Sequence, residues 1–183
     1  MGARKKVLRL GATAGTTALI SAALAGGTAH AQDADHCIES LDTGEKECFS
    51  EFETAISAAE ERTGNTIAEQ KRMMKSKQSS RAMTTAAAND IILGTFFIHE
   101  QYGGATFTLY GDSLCSKDGQ MEYVYNFSGD WVDSISSVQP WANCWIWLYP
   151  EPDLGGDRDG PYKENTPYVG DYMNDRTESV GFS

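Results

Sequence analysis

The chain has 183 residues, of which 26 are acidic and 15 basic, for a formal charge of −11, and 40% of it is hydrophobic. That balance argues against nucleic acid or an anionic membrane as partner, because both require Lys and Arg to neutralise phosphate. It favours solubility and association with cations.

The first residues read as a delivery device. Arg4, Lys5, Lys6 and Arg9 form a positive start, an apolar run of small residues extends from Leu10 to Leu24, and Ala29-His30-Ala31 is a small-x-small cleavage site. Residues 1–31 are therefore expected to be a secretory signal cut before Gln32. Cleavage would remove basic residues only, leaving a more acidic, extracellular chain with no membrane attachment.

Cys37, Cys48, Cys115 and Cys144 all follow the expected cut. In an oxidising compartment an even count reads as disulfides, and four cysteines allow three pairings. Composition divides the exported chain into two parts, which favours Cys37 with Cys48 and Cys115 with Cys144. In the chain-entropy model each link contributes about 3 to 4 kcal/mol. Zinc is the weaker alternative, because no pair has the close spacing of a zinc knuckle.

Residues 32–64 predict a small hairpin closed by Cys37 and Cys48, turning at Leu41-Asp42-Thr43-Gly44-Glu45. A short helix over about Glu51 to Arg62 follows. Ser50-x-x-Glu53 has the form of a capping box, and Phe52, Ile56 and Ala59 recur at helical spacing. From residue 65 to 90 the aromatics vanish and Lys, Gln, Ser, Thr and Ala dominate, so a flexible or partly helical linker is expected.

After Asp90 the texture changes. Of the 19 aromatic residues, 17 lie between Phe96 and Phe182. Met121, Tyr123, Tyr125 and Phe127 alternate with their neighbours at period two, as half-buried strands do. Within residues 91–183 two motifs recur in the same order. Phe97-x4-Tyr102-x-Gly104 is matched by Tyr149-x4-Leu154-x-Gly156. Asp133-Ser-Ile-Ser-Ser, ending at Ser137, is matched by Asp175-Arg-Thr-Glu-Ser, ending at Ser179. Each loop follows a Gly-Asp-aromatic step, Gly129-Asp130-Trp131 and Gly170-Asp171-Tyr172.

These paired motifs resemble the βγ-crystallin superfamily, whose units combine an aromatic-x4-aromatic-x-Gly hairpin with an Asn/Asp-Asn/Asp-x-x-Ser/Thr-Ser loop. The resemblance implies a mainly β fold: a double Greek-key sandwich of two four-stranded motifs, about eight strands in two sheets, preceded by the disulfide-closed hairpin, the short helix and the linker. It also implies calcium as the ligand. The carbonyls of Glu100 and Pro152, the carbonyls of Ser134 and Arg176, and side-chain oxygens at Ser136 and Glu178 would contribute to two sites. The family's first loop position is Val132 in one copy and Asn174 in the other. One site is therefore expected to lack a ligand, and the site containing Asn174 to be the better one.

A second reading is an extracellular metalloprotease inhibitor, similar to the Streptomyces metalloproteinase inhibitor of crystallin fold. It would present the loop from Gly111 to Gln120, anchored at Cys115, to a protease cleft. Enzymatic chemistry is not expected. His99-Glu100 lacks the second His of a zinc-protease helix, no Gly-x-Ser-x-Gly elbow is present, and Glu151, Asp153, Asp157 and Asp159 read as a solvated loop. Trp131, Trp141, Trp145 and Trp147 could stack on carbohydrate, but core packing is the favoured reading. The expected molecule is a secreted monomer.

Overall fold

A computed structural model describes residues 36–75 and 90–183. The expected signal, residues 1–31, lies outside the described residues, as do residues 76–89 of the expected linker.

Among the described residues nine strands form two sheets: β1 (His36–Ser40), β2 (Lys46–Phe49), β3 (Ile91–His99), β4 (Gly103–Gly111), β5 (Tyr123–Asn126), β6 (Ser137–Pro140), β7 (Ile146–Tyr149), β8 (Asp159–Tyr162) and β9 (Ser179–Phe182). The first sheet runs β2-β1-β4-β3-β6 and the second β5-β9-β7-β8. Each Greek key keeps three strands in one sheet and sends its third, in chain order, to the other. In the first key, β5 leaves β3, β4 and β6 to pair with β9. In the second, Thr166 bridges to Val138 on β6 while β7, β8 and β9 stay together. This exchange interlocks the halves, and the inner faces bury Phe96, Phe107, Ile146, Leu148, Val180 and Phe182. Seven of the eight expected strands are regular, and the eighth is reduced to the bridge at Thr166.

The hairpin of β1 and β2 joins the sandwich. β1 pairs in parallel with β4, His36 opposite Thr106 through Ser40 opposite Tyr110, and so covers the free edge of that sheet. An edge strand left bare is a template for pairing with other chains. Behind the hairpin, α1 (Phe52–Thr63) lays Ala55, Ile56, Ala59 and Thr63 against the outer face of the first sheet. β3 is consequently buried on both faces, with every residue from Ile91 to Phe97 inside. Arg62 ties the helix back to the hairpin through Glu45 at 3.1 Å and Glu47 at 2.6 Å.

The helix starts differently from the expectation. Glu51 is its N-cap and no side chain caps it, so the Ser50-x-x-Glu53 box does not form. The amides of Thr54 and Ala55 instead bond the Glu51 carbonyl. The far end is as expected, at Gly64 with φ 63°, a left-handed cap that suits glycine. Ile67–Lys75 forms α2 within the segment expected as linker. Its Lys71 ammonium lies 5.0 Å from the Trp141 ring centroid.

Both disulfides join the expected partners, Cys37 with Cys48 and Cys115 with Cys144.

Candidate metal centre

The two hairpins and the two loops form one pseudo-symmetric assembly. At the first hairpin Gln101 and Tyr102 have φ of 57° and 63°; at the second, Asp153 and Leu154 have 55° and 62°. The hydroxyl that closes each turn does so in the same way. Ser137 Oγ donates to the His99 carbonyl at 2.7 Å and accepts from the Tyr102 amide at 3.1 Å. Ser179 Oγ donates to the Glu151 carbonyl at 2.6 Å and accepts from the Leu154 amide at 3.1 Å. Leu154 therefore occupies the second aromatic position without changing the backbone. What it loses is the edge-on ring contact that Tyr102 makes with Phe97 at 5.5 Å.

The loops then cross between halves. The Asp133 amide donates to the Thr177 carbonyl at 3.0 Å, and the Asp175 amide to the Ile135 carbonyl at 3.1 Å. Phe127 donates to Glu178 and Val169 to Ser136, at 2.9 and 3.0 Å. Asp133 and Asp175 share the left-handed backbone, with φ of 55° and 51°.

One detail of the expected repeat shifts by a residue. Aligned on Asp133 and Asp175, the counterpart of buried Trp131 is Met173, which is fully buried, whereas Tyr172 is 41% exposed. The Gly-Asp-aromatic step of the second copy is thus a sequence coincidence, and a flexible thioether fills the core position instead.

The expected ligands divide between two places. Near the first hairpin, Ser136 Oγ donates to the Ile98 carbonyl at 2.9 Å and lies 3.3 Å from Asp175 Oδ1. The Asn174 amide nitrogen donates to Asp175 Oδ2 at 2.8 Å, while Asn174 Oδ1 is shielded from solvent and has no hydrogen-bond partner. The adjacent carboxylate fixes that orientation, because a flipped amide would set oxygen against oxygen. A buried carbonyl oxygen without a partner costs about 1–3 kcal/mol. The Glu100 carbonyl accepts from the Gly103 amide and retains a second lone pair.

Negative charge accumulates at this end. Tyr168 donates to Asp171 Oδ1 at 2.6 Å. Its hydroxyl pKa is pushed up to about 12, first by that hydrogen bond, then by desolvation and by the charges of Asp171, Glu100 and Asp175. Glu100, Asp171 and Asp175 therefore share one electrostatic neighbourhood. Asp171 and Asp175 were not among the expected ligands, although they stand three residues before and one residue after Asn174 in the sequence.

The mirror position is poorer. Val132 stands where Asn174 stands in the other half, and offers no oxygen from its side chain. Ser134 turns its hydroxyl to the Trp131 carbonyl at 2.9 Å. Asp153 is held by Asn126, whose Nδ2 donates to the Asp153 carboxylate at 2.7 Å and whose Oδ1 accepts the Asp153 amide at 2.8 Å. The Pro152 carbonyl accepts from Gly155, and Glu178 replaces the expected short hydroxyl.

Among the described residues no group of three or more His, Cys, Asp and Glu side chains is placed to hold a metal. A site here would draw on backbone carbonyls, a serine hydroxyl and an asparagine amide, the hard oxygens that suit calcium rather than zinc. The residues near Asn174 fit such an ion, and those near Val132 do not. His99 is exposed on β3, its Nδ1 bonded to the Ile98 carbonyl at 3.0 Å.

Two interlocked Greek keys, each tied by a serine to a hairpin with successive left-handed residues, define a βγ-crystallin-like module. The structure is similar to a βγ-crystallin domain from Clostridium beijerinckii at 24% identity, covering 49% of this chain and 95% of that one, with a TM-score of 0.39. It is similar also to a βγ-crystallin domain from Flavobacterium johnsoniae at 19% identity, over 50% of this chain and 93% of that one, with a TM-score of 0.38. The N-terminal domain of protein S matches at 20% identity, over 50% and 94%, with a TM-score of 0.39. No family model and no curated protein matches the chain.

Proposed function

We propose that this chain is a secreted, non-enzymatic crystallin-like module that binds one calcium ion at the Asn174 end and is stabilised by it. The observation that carries the reading is Asn174 Oδ1, buried without a hydrogen bond beside the Asp175 carboxylate. Calcium would take that oxygen, the Ser136 hydroxyl and the carbonyls of Glu100 and Arg176, and water would complete its shell of about six to eight oxygens. Ion binding to the folded state alone raises stability by mass action, about 2.7 kcal/mol when free ion is a hundredfold above the dissociation constant. The melting temperature in millimolar calcium, compared with EDTA, is the direct test. A rise supports the reading, and identical melting curves reject it.

A second reading, inhibition of an extracellular metalloprotease, draws on the loop from Gly111 to Gln120. That loop is exposed around buried Cys115, and its Ser113 is held by Tyr123 through the amide at 2.8 Å and the hydroxyl at 2.7 Å. Such fixing lowers the entropy cost of filling a cleft. Undiminished peptide hydrolysis by thermolysin at micromolar protein would reject it.

A further inference from the structure

Residues 90–183 contain only four basic side chains, Lys117, Arg158, Lys163 and Arg176. Three of these lie over aromatic rings: Arg158 Cζ is 3.8 Å from the Trp147 centroid, Lys163 Nζ is 3.8 Å from the Trp145 centroid, and Arg176 Cζ is 4.7 Å from the Tyr172 centroid. None of the three is in an ion pair with a described residue. Among the described residues the ion pairs are those of Arg62 with Glu45 and Glu47, although Asp157, Asp159 and Glu164 are immediate chain neighbours of Arg158 and Lys163.

The tryptophans divide by burial. Trp131 and Trp141 are core residues, 8% and 6% exposed, as packing predicts. Trp145 and Trp147 are half-buried and face outward, because Ile146 and Leu148 between and beside them are fully buried on the inner face of β7. Trp147 is fixed from within by donating to Ser183 Oγ at 3.0 Å, and Arg158 by donating to the Tyr149 hydroxyl at 3.4 Å. Across the sheet Trp147 pairs with Gly181, over which the Met121 thioether lies.

We infer that the outer face of β7, with Trp145, Trp147, Arg158 and Lys163, binds an acidic polysaccharide bearing one carboxylate per sugar ring. The indoles hold the two cations over their faces, and their half-buried rings leave apolar edge for the C–H groups of successive sugars, the strand positions being about 7 Å apart. Arg158 offers a planar fork held 3.8 Å over its ring, able to take a carboxylate through two hydrogen bonds, and Lys163 offers a second positive charge over the neighbouring ring. Charge complementarity selects this occupant. Two of the four basic side chains of residues 90–183 lie over neighbouring rings here without an ion pair to a described residue, while a formal charge of −11 over the chain disfavours densely charged polyphosphates and nucleic acid.

The full chain, kept in EDTA so that uronates cannot act through calcium, is titrated with tetragalacturonate by calorimetry and tryptophan fluorescence. Cellotetraose and inorganic polyphosphate serve as comparison ligands. Saturable submillimolar binding of the uronate is expected, with cellotetraose weaker by about tenfold or more. Arg158→Gln and Lys163→Gln, made singly and together, are expected to weaken uronate binding by about tenfold in the pair while the variants stay folded, the lost contacts to Trp147, Trp145 and Tyr149 lowering the melting temperature only modestly. Absence of saturable binding at millimolar uronate, equal affinity for cellotetraose, tighter binding of polyphosphate, or unchanged affinity in the folded double variant would each overturn the inference.

Discussion

The amide of Asp175 donates to the carbonyl of Ile135 at 3.1 Å, and this bond has a partner of the same kind running the other way, from Asp133 to Thr177 at 3.0 Å. Each loop therefore supplies a donor to the other half and accepts one from it. Neither half can close its serine-bearing loop alone, so the two keys are expected to fold and unfold together.

Asn174→Ala separates the ion from the fold. Removing an amide whose oxygen is buried without a partner leaves ion-free stability unchanged or slightly raised, by up to about 1 kcal/mol. The calcium-dependent rise in melting temperature is expected to disappear. Thermal melts with and without calcium check both effects, and a loss of ion-free stability above that size would mean the side chain is structural instead.

Ser137→Ala and Ser179→Ala each delete a hydroxyl that both donates to a hairpin carbonyl and accepts a hairpin amide. Each is expected to destabilise by about 2–3 kcal/mol, because two buried groups lose their partner at once. Ser134→Ala, whose hydroxyl bonds only the Trp131 carbonyl, should cost about 1 kcal/mol or less. Urea denaturation of the three variants gives the comparison.

Gly104 and Gly119 both have positive φ, 75° and 83°, but differ in surroundings. A Cβ at Gly104 would come within 2.6 Å of Ile98 Cγ1 and 2.7 Å of the His99 ring, while one at Gly119 would meet nothing within 4 Å. Gly119→Ala should cost about 1 kcal/mol, the conformational term alone. Gly104→Ala should cost clearly more, by about 1–3 kcal/mol of steric strain. Equal melting temperatures for the two would contradict the hairpin geometry.

Asp42, Asp90 and Asp112 form a carboxylate cluster where the β1–β2 turn meets the ends of β3 and β4. Burial first, then the charges of Asp112 and Asp90, raises the pKa of Asp42, and burial and Asp112 raise that of Asp90. Hydrogen bonds from Tyr123 and Ser113 lower that of Asp112. A raised carboxylate pKa means the folded state binds more protons, so the destabilisation that Asp42 and Asp90 cause at neutral pH is relieved as pH falls through their folded pKa values toward the ordinary aspartate range. Asp112 acts oppositely, its contribution being lost as pH falls below the usual aspartate range. Asp42→Asn is expected to raise the melting temperature at neutral pH, with the gain fading in acid, and Asp112→Asn to lower it at neutral pH.

The duplicated motifs made the sandwich legible because both are local: a hairpin needs its glycine and a loop its closing serine within a few residues. Parallel pairing of β1 with β4 has no local signature, since it joins residues some 70 positions apart, as with His36 and Thr106. A clue to the covered outer face was nonetheless present. Ile91-Ile92-Leu93 and Phe96-Phe97-Ile98 do not alternate, which is how a strand buried on both faces reads. The Asn174 end of the site was readable from loop position, but Asp171 enters through Tyr168, a contact across the loop that spacing alone does not reveal. The role of Met173 was hidden by Tyr172, because an aromatic draws attention in a pattern where burial was the actual requirement.

The duplicated frame is expected to hold one ion, where the loop begins with Asn174, and none where it begins with Val132. Isothermal titration of the full chain with calcium measures it directly. A stoichiometry of one ion per chain is expected, abolished by Asn174→Ala. Two equivalent ions, no heat at millimolar calcium, or an unaltered isotherm in that variant would contradict it.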